Sequence, residues 1–267
     1  MQCDTIPKII HYCWFGGEKI PEEYKSYMES WKRFCPDYEI KEWNETNYDI
    51  SKNGYMEQAY KNKKWGFVPD YARLDIIYNY GGIYLDTDVE LLKSLDEILD
   101  CEGFFGFESE NLVNLGLGFG AVKGNEIIRD MMLQYEKMSF INHDGTLNTV
   151  ASPIYTTEIL KDKGLDLNGK LQVIEGSVIY PTEYFSPKNY MTGITNITDN
   201  SCSIHHFSAS WLDWELKKIM EWNQKGYQKG GLYRLLIKLV SIILRIERKL
   251  RLEGIAGAAK SIKNRIR

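Results

Sequence analysis

The chain has 267 residues, 43% of them apolar and 26% charged, with a formal net charge of −4. That length supports one substantial core or a domain with an appendage, and the apolar content excludes a disordered chain. The acidic balance excludes nonspecific nucleic-acid binding through the body of the chain, which would need a basic footprint.

Ile6 to Gly17 reads as a first buried strand ending in a glycine turn. Its apolar run of Ile9, Ile10 and Tyr12 suits the centre of a mostly parallel sheet. Trp14 stands at the carboxyl end of that strand, where an open α/β sheet presents ligand contacts. Simple core packing is the alternative for Trp14. Glu22 to Phe34 forms an amphipathic helix closed by Pro36, and Tyr38 to Trp43 a second strand. A longer helical stretch spans Trp65 to Tyr80 and stops at Gly81-Gly82, glycine being the residue that ends a helix in a left-handed conformation without steric cost. A short apolar strand, Ile83 to Leu85, follows.

That strand delivers Asp86 and Asp88 at i and i+2, which share a face if the strand continues. Two carboxylates on one face are costly without a cation, and a hard divalent ion with oxygen ligands is the usual answer. A solvated strand end is the bland alternative for an isolated Asp-x-Asp. Here Asp70 and Arg73, one helical turn apart, stand just upstream and point to a site. Beyond it, Gly103 to Phe107 reads as another strand, Leu115 to Val122 as a glycine-interrupted strand, and Glu126 to Met138 as a helix. Gly116, Gly118 and Gly120 lack the Lys-Ser/Thr of a phosphate-binding loop; they suit a strand whose small face admits a close neighbour. Further on, Ser203-Ile204-His205-His206-Phe207-Ser208-Ala209-Ser210-Trp211 holds two of the four histidines. Adjacent residues on an extended segment face opposite ways, so one of His205 and His206 is the better metal ligand.

The Asp70-x-x-Arg73 helix, the Gly81-Gly82 break and Tyr84-Leu85-Asp86-x-Asp88 resemble the donor-sugar block of DXD-motif glycosyltransferases of family 32, shared with the clostridial glucosylating toxins. The resemblance extends in outline over residues 5–215. It implies a Rossmann-like α/β fold of the GT-A type and a metal-dependent, retaining hexosyltransferase using a nucleotide-sugar, UDP-sugar favoured. It implies Asp88 and His205, or else His206, as ligands of Mn2+ or Mg2+. Trp14 would lie against the base, and Asp70, Arg73 and Asp86 would hold the donor and serve catalysis. Ser210 and Trp211 would donate to phosphate oxygens. The acceptor would be a glycan or lipid-linked glycan in capsule or lipopolysaccharide synthesis. Two other classes stand beside this one, an Asp-x-Asp phosphohydrolase and a non-catalytic nucleotide- or carbohydrate-binding module.

The charge is unevenly spread. Residues 232–267 hold ten Lys or Arg against two acids, so residues 1–230 are expected to form the catalytic domain and 231–267 a basic helical tail. At 100° per residue, Arg234, Lys238, Ser241, Arg245, Arg248 and Lys249 fall within an arc of about 100°, opposite Leu235, Leu239, Ile243 and Ile246. Such a helix suits the interface of an anionic bilayer, since its longest uncharged run is far short of a span. The five cysteines are odd in number and scattered, which suits reduced thiols. The first residues hold no basic segment followed by an apolar run, so no secretory signal is expected. The expected location is the cytoplasm, peripheral to the inner face of the plasma membrane.

Overall fold

The computed structural model describes residues 5–209 and 212–263. In chain order the elements are β1 (Ile9–Cys13), α1 (Glu22–Phe34), β2 (Glu39–Trp43), α2 (Gly54–Lys61), α3 (Pro69–Tyr80), β3 (Gly82–Tyr84) and β4 (Val89–Leu91). Then come β5 (Gly103–Ser109), β6 (Leu112–Val113), β7 (Phe119–Ala121), α4 (Glu126–Glu136), α5 (Ser152–Asp162), β8 (Gln172–Ile174) and β9 (Ser177–Tyr180). The chain closes with α6 (Thr182–Phe185), β10 (Ser203–His205), α7 (Trp214–Lys229) and α8 (Gly231–Lys263).

The fold is α/β around one mixed sheet in the order β2-β1-β3-β7-β5-β9-β8, with β6 on β5. β1 has parallel neighbours on both sides, as its apolar run suggests. The sheet as a whole is mixed rather than mostly parallel, because β7 runs antiparallel to both β3 and β5. β4 and β10 form a separate two-stranded antiparallel ribbon. Helix α1 fixes that ribbon: the Trp31 indole donates to the Val89 carbonyl at 2.8 Å, and the Ser30 hydroxyl accepts from the Leu91 amide at 2.8 Å.

Residues 70–77 of α3 are buried without interruption. A helix buried all round belongs to the interior, and Leu74 and Ile77 join Tyr55, Phe105, Phe119, Ile128 and Ile179 in one core cluster. The expected helix over Trp65 to Tyr80 is broken near its start. Residues 65–67 form a separate 3-10 turn and Pro69 opens α3, as proline's fixed φ and missing N–H favour. The stretch Leu115 to Val122 is likewise split. Asn114 accepts from the Gly116 amide to cap a 3-10 turn, and Gly118 at φ +109° redirects the chain into β7.

His11 lies fully buried at the α3–β3 break. Its Nδ1 accepts from the Trp43 indole at 3.1 Å, which leaves Nε2–H to donate to the Gly81 carbonyl at 3.0 Å. A Cβ on Gly82 would lie 2.7 Å from the Ile9 carbonyl and 3.0 Å from this imidazole, and Gly82 has φ +102°. Only glycine fits there.

Contacts divide the chain into one compact unit of residues 1–188 and 196–211 and a second of residues 189–195 and 212–267. The second begins before the 230/231 boundary expected from charge. Within it, α7 and α8 pair through Gly230 and Gly231, both at positive φ. Three residues of the α8 arc meet α7 or its cap: Arg248 pairs with Asp213, Ser241 bonds Asn223 at 3.0 Å, and Arg234 lies over the Tyr227 ring. Lys238 and Arg245 are exposed, as are Leu235, Leu239, Ile243 and Ile246 on the apolar side. Among the described residues, no helix is long and apolar enough to cross a membrane.

Candidate metal and donor site

The site grows from the end of β3. The Leu85 amide still pairs with the His11 carbonyl at 3.0 Å, but the Val89 amide then bonds the Asp86 carbonyl at 3.0 Å. The chain therefore turns between Asp86 and Val89 instead of continuing as a strand, which corrects the expectation that the two acids share one strand face. The turn brings them together all the same. β10 pairs with β4 so that His205 stands opposite Val89. Single ligand atoms of Asp86, Asp88 and His205 all lie within 4.8 Å of one another.

Charge and burial define this group. His205 Nε2 lies 3.0 Å from Asp88 Oδ1, and Asp88 Oδ2 accepts from the Ser208 amide at 2.7 Å. Burial alone would raise the Asp88 pKa; His205 and the Ser208 donors outweigh it and hold the carboxyl well below its ordinary value. Burial alone would lower the His205 pKa, but the carboxylates of Asp88, Asp86 and Glu108 push it up. Asp86 is shifted up, chiefly by burial and against the pull of Arg73, although its side chain is 31% exposed at the mouth of the site. His205 Nδ1 is buried with no hydrogen-bond partner among the described residues. Two carboxylates and one imidazole at this spacing fit a divalent metal: the oxygens suit a hard ion, and the imidazole favours a first-row metal.

Asp70 and Arg73 sit behind Asp86 on the first turns of α3. Arg73 Nη2 contacts Asp70 Oδ1 and donates to the Ser152 hydroxyl at 2.7 Å, while Nη1 lies 3.9 Å from Asp86 Oδ1. Burial raises Asp70 to about 6, against the opposing pull of Arg73. Arg73 stays charged because Asp70 and Asp86 overcome its own desolvation.

Trp14 is half-buried and meets Tyr24 edge-on at 6.1 Å; the Tyr24 hydroxyl engages Ser208, beside Asp88. His206 faces away from the metal group. It bonds Glu90 at 2.9 Å and stacks on Tyr27 at 3.9 Å. Ser210 and Trp211 lie outside the described residues.

Several neighbours escaped sequence reasoning. Asn114 donates to Glu108 at 2.6 Å and accepts from the Gly116 amide at 2.7 Å. A Cβ on Gly116 would stand 2.7 Å from Asp86 Oδ2. The glycine admits the chain's own aspartate, and the Asn-x-Gly spacing is the only sequence signal for it. Ser152 reaches Arg73 from the start of α5, which no local motif announces.

Residues 21–105 match a family model described as a glycosyltransferase sugar-binding region containing DXD motif. The chain is 25% identical over 215 residues to an uncharacterized glycosyltransferase of Acanthamoeba polyphaga mimivirus, covering 77% of this chain and 84% of that one. It is 29% identical over 159 residues to inositol phosphoceramide mannosyltransferase 3 of Schizosaccharomyces pombe, covering 57% and 43%. Over 103 residues it is 33% identical to mannosyl phosphorylinositol ceramide synthase SUR1 of Saccharomyces cerevisiae, covering 37% and 27%. The chain thus spans less than half the length of these yeast relatives. Among solved structures it is similar to PaToxG glycosyltransferase, with TM-score 0.45, 19% identity, and 60% and 71% of the two chains covered. A glycosyltransferase involved in glycosylation of the PBCV-1 major capsid gives TM-score 0.44 and 12% identity, with 80% and 99% covered. Residues 21–105 thus carry a DXD-type glycosyltransferase sugar-binding region, and the sequence matches support glycosyltransferase activity over the phosphohydrolase and the non-catalytic module.

Proposed function

We propose that this glycosyltransferase is metal-dependent and retaining, has a GT-A-type fold, and moves a hexose from a UDP-sugar to a glycan or lipid-linked glycan acceptor. The observation that carries the reading is the group Asp86, Asp88 and His205, backed by the buried Asp70–Arg73 pair. Asp88 and His205 would hold Mn2+ or Mg2+, with Asp86 on the ion directly, through water, or on a donor hydroxyl. When bound, the ion supplies Lewis-acid neutralisation of the departing diphosphate.

The chain's own residues set the geometry. Arg73 is braced by Asp70 and Ser152, so its remaining donors are preorganised for donor hydroxyls or phosphate oxygens. Asp70 accepts from sugar hydroxyls. Trp14 offers a ring face to the base. No separate nucleophile is assigned, and the acceptor attacks on the face from which the diphosphate leaves. Positioning and fixed charge carry most of the rate.

The names of the yeast relatives support a second reading, a mannosyl donor with a glycolipid acceptor. A hydrolysis screen with UDP-glucose, UDP-galactose, UDP-N-acetylhexosamines and GDP-mannose separates the two. Each donor is assayed with Mn2+ and with a chelator; turnover of one donor that the chelator abolishes supports the proposal, and chelator-insensitive turnover sinks the metal dependence. The enzyme would work in the cytoplasm at the inner face of the plasma membrane in surface-glycan synthesis. The exposed apolar side of α8, rather than its cationic arc alone, supports that location.

A further inference from the structure

Lys188 follows α6 in the segment Ser186-Pro187-Lys188. Its side chain is half-buried and its Nζ donates to the His206 carbonyl at 2.9 Å. That carbonyl belongs to the residue after His205, and the His206 amide is itself bonded to the Asp88 carbonyl at 2.9 Å. The ammonium is therefore tied to the backbone that carries two of the three candidate metal ligands. It feels the charges of Asp88 and Glu23, yet no carboxylate among the described residues comes within 4 Å of it, the distance at which the other ion pairs form.

A half-buried ammonium has lost part of its hydration, and burial pulls its pKa down. One carbonyl satisfies one of its three donors. Nearby charges are mostly acidic: Asp86, Asp88, Glu90 and Glu108 surround the histidines. Arg73 stands on the Asp70 and Asp86 side of that group, and Lys188 on the Asp88 and His206 side. A diphosphate brings more negative charge than one divalent ion cancels, so a second cation beside the ion is the natural complement to a leaving diphosphate.

We propose that Lys188 is a binding residue for the diphosphate of the nucleotide donor, poised by the His206 carbonyl on the Asp88 side of the metal group. The inference rests on the nucleotide-sugar reading above. Its distinguishing feature is selectivity for diphosphate over the nucleoside part of the ligand.

The test compares UDP with UMP, and GDP with GMP, by titration calorimetry in Mn2+, on wild type and Lys188→Gln. The wild type should prefer the diphosphate. The variant should lose at least about tenfold in diphosphate affinity, the scale of one charge-assisted hydrogen bond, and keep its monophosphate affinity within about twofold. Equal losses for both ligands would make Lys188 a backbone strap, and no loss for either would make it a bystander; each overturns the inference. A wild type that binds no nucleotide in Mn2+ overturns the donor reading and this inference together. Should Lys188→Gln fail to fold, amine acetylation of the wild type, read by mass spectrometry, takes its place. Lys188 should react in the free protein and be protected by Mn2+ with UDP or GDP. Reaction unchanged by nucleotide, or no reaction in either state, refutes the assignment.

Discussion

The buried imidazole of His11 should make the fold sensitive to mild acid. Burial pushes its pKa from 6.5 to about 4, and protonation would set a second N–H at Nδ1 against the Trp43 indole N–H. In the unfolded chain the same group titrates normally. Between these values the folded state binds fewer protons than the unfolded one, so stability is fully present above pH 6.5 and is lost as pH falls toward 4. Lowering the pH from 7.5 to 5 should remove about 2 kcal/mol from this group alone, and the full shift is worth roughly 3 kcal/mol. Urea unfolding of wild type and His11→Gln across that range isolates the effect from the carboxylates, which are common to both. The variant starts less stable, having lost a packed ring; only the difference in slope matters. Parallel profiles, or a His11 ring resonance titrating near 6.5, would refute the buried neutral tautomer.

Other outcomes follow from the site and the tail. Asp88→Asn should abolish metal-dependent donor turnover while the circular dichroism spectrum stays that of wild type; full activity in that protein would sink the site. Gly116→Ala should cut turnover at least about tenfold by displacing Asp86, whose Oδ2 the new Cβ would approach to 2.7 Å. Because Gly116 is not at positive φ, its melting temperature should move far less than its activity, and the reverse pattern would refute the steric argument. Full-length protein should co-sediment with anionic liposomes at low salt and lose binding when 231–267 are deleted. Within that tail, Ile243→Glu should weaken binding more than Arg248→Gln, since Ile243 is exposed and Arg248 is occupied by Asp213. Equal effects, or no sedimentation of wild type, would assign the apolar face elsewhere.

Much of the fold's first half was legible because its signals are local. Gly81-Gly82 marks the helix end, and Asp70, Arg73, Asp86 and Asp88 sit within one short stretch. The geometry that gathers them was not: alternation suggested a continuing strand where the Asp86–Val89 hydrogen bond makes a turn. His205 and His206 could not be separated by spacing, because only the pairing of β10 with β4 decides which ring meets Asp88. Ser152 and Asn114 depend on contacts between distant segments. Strands β8 and β9 are too short to rise above the loops around them. For α8, charge periodicity shows that a face is cationic but not that Asp213 and Glu215, at the start of α7, meet Arg248.

The β4–β10 ribbon also sets a timetable for making the enzyme. Asp88 and His205 are 117 residues apart, so at ~5–20 residues per second the acidic pair leaves the ribosome roughly 6 to 23 seconds before its imidazole partner. In that interval Asp86 and Asp88 have been made but have no imidazole beside them. The candidate metal group is complete only after one late stitch, the pairing of Ser203–His205 beside Val89–Leu91. A nascent chain halted before that stitch would carry the acidic pair without its imidazole. Assembly of the candidate site is thereby tied to a pairing that the growing polypeptide reaches only near the end of the compact unit that carries it.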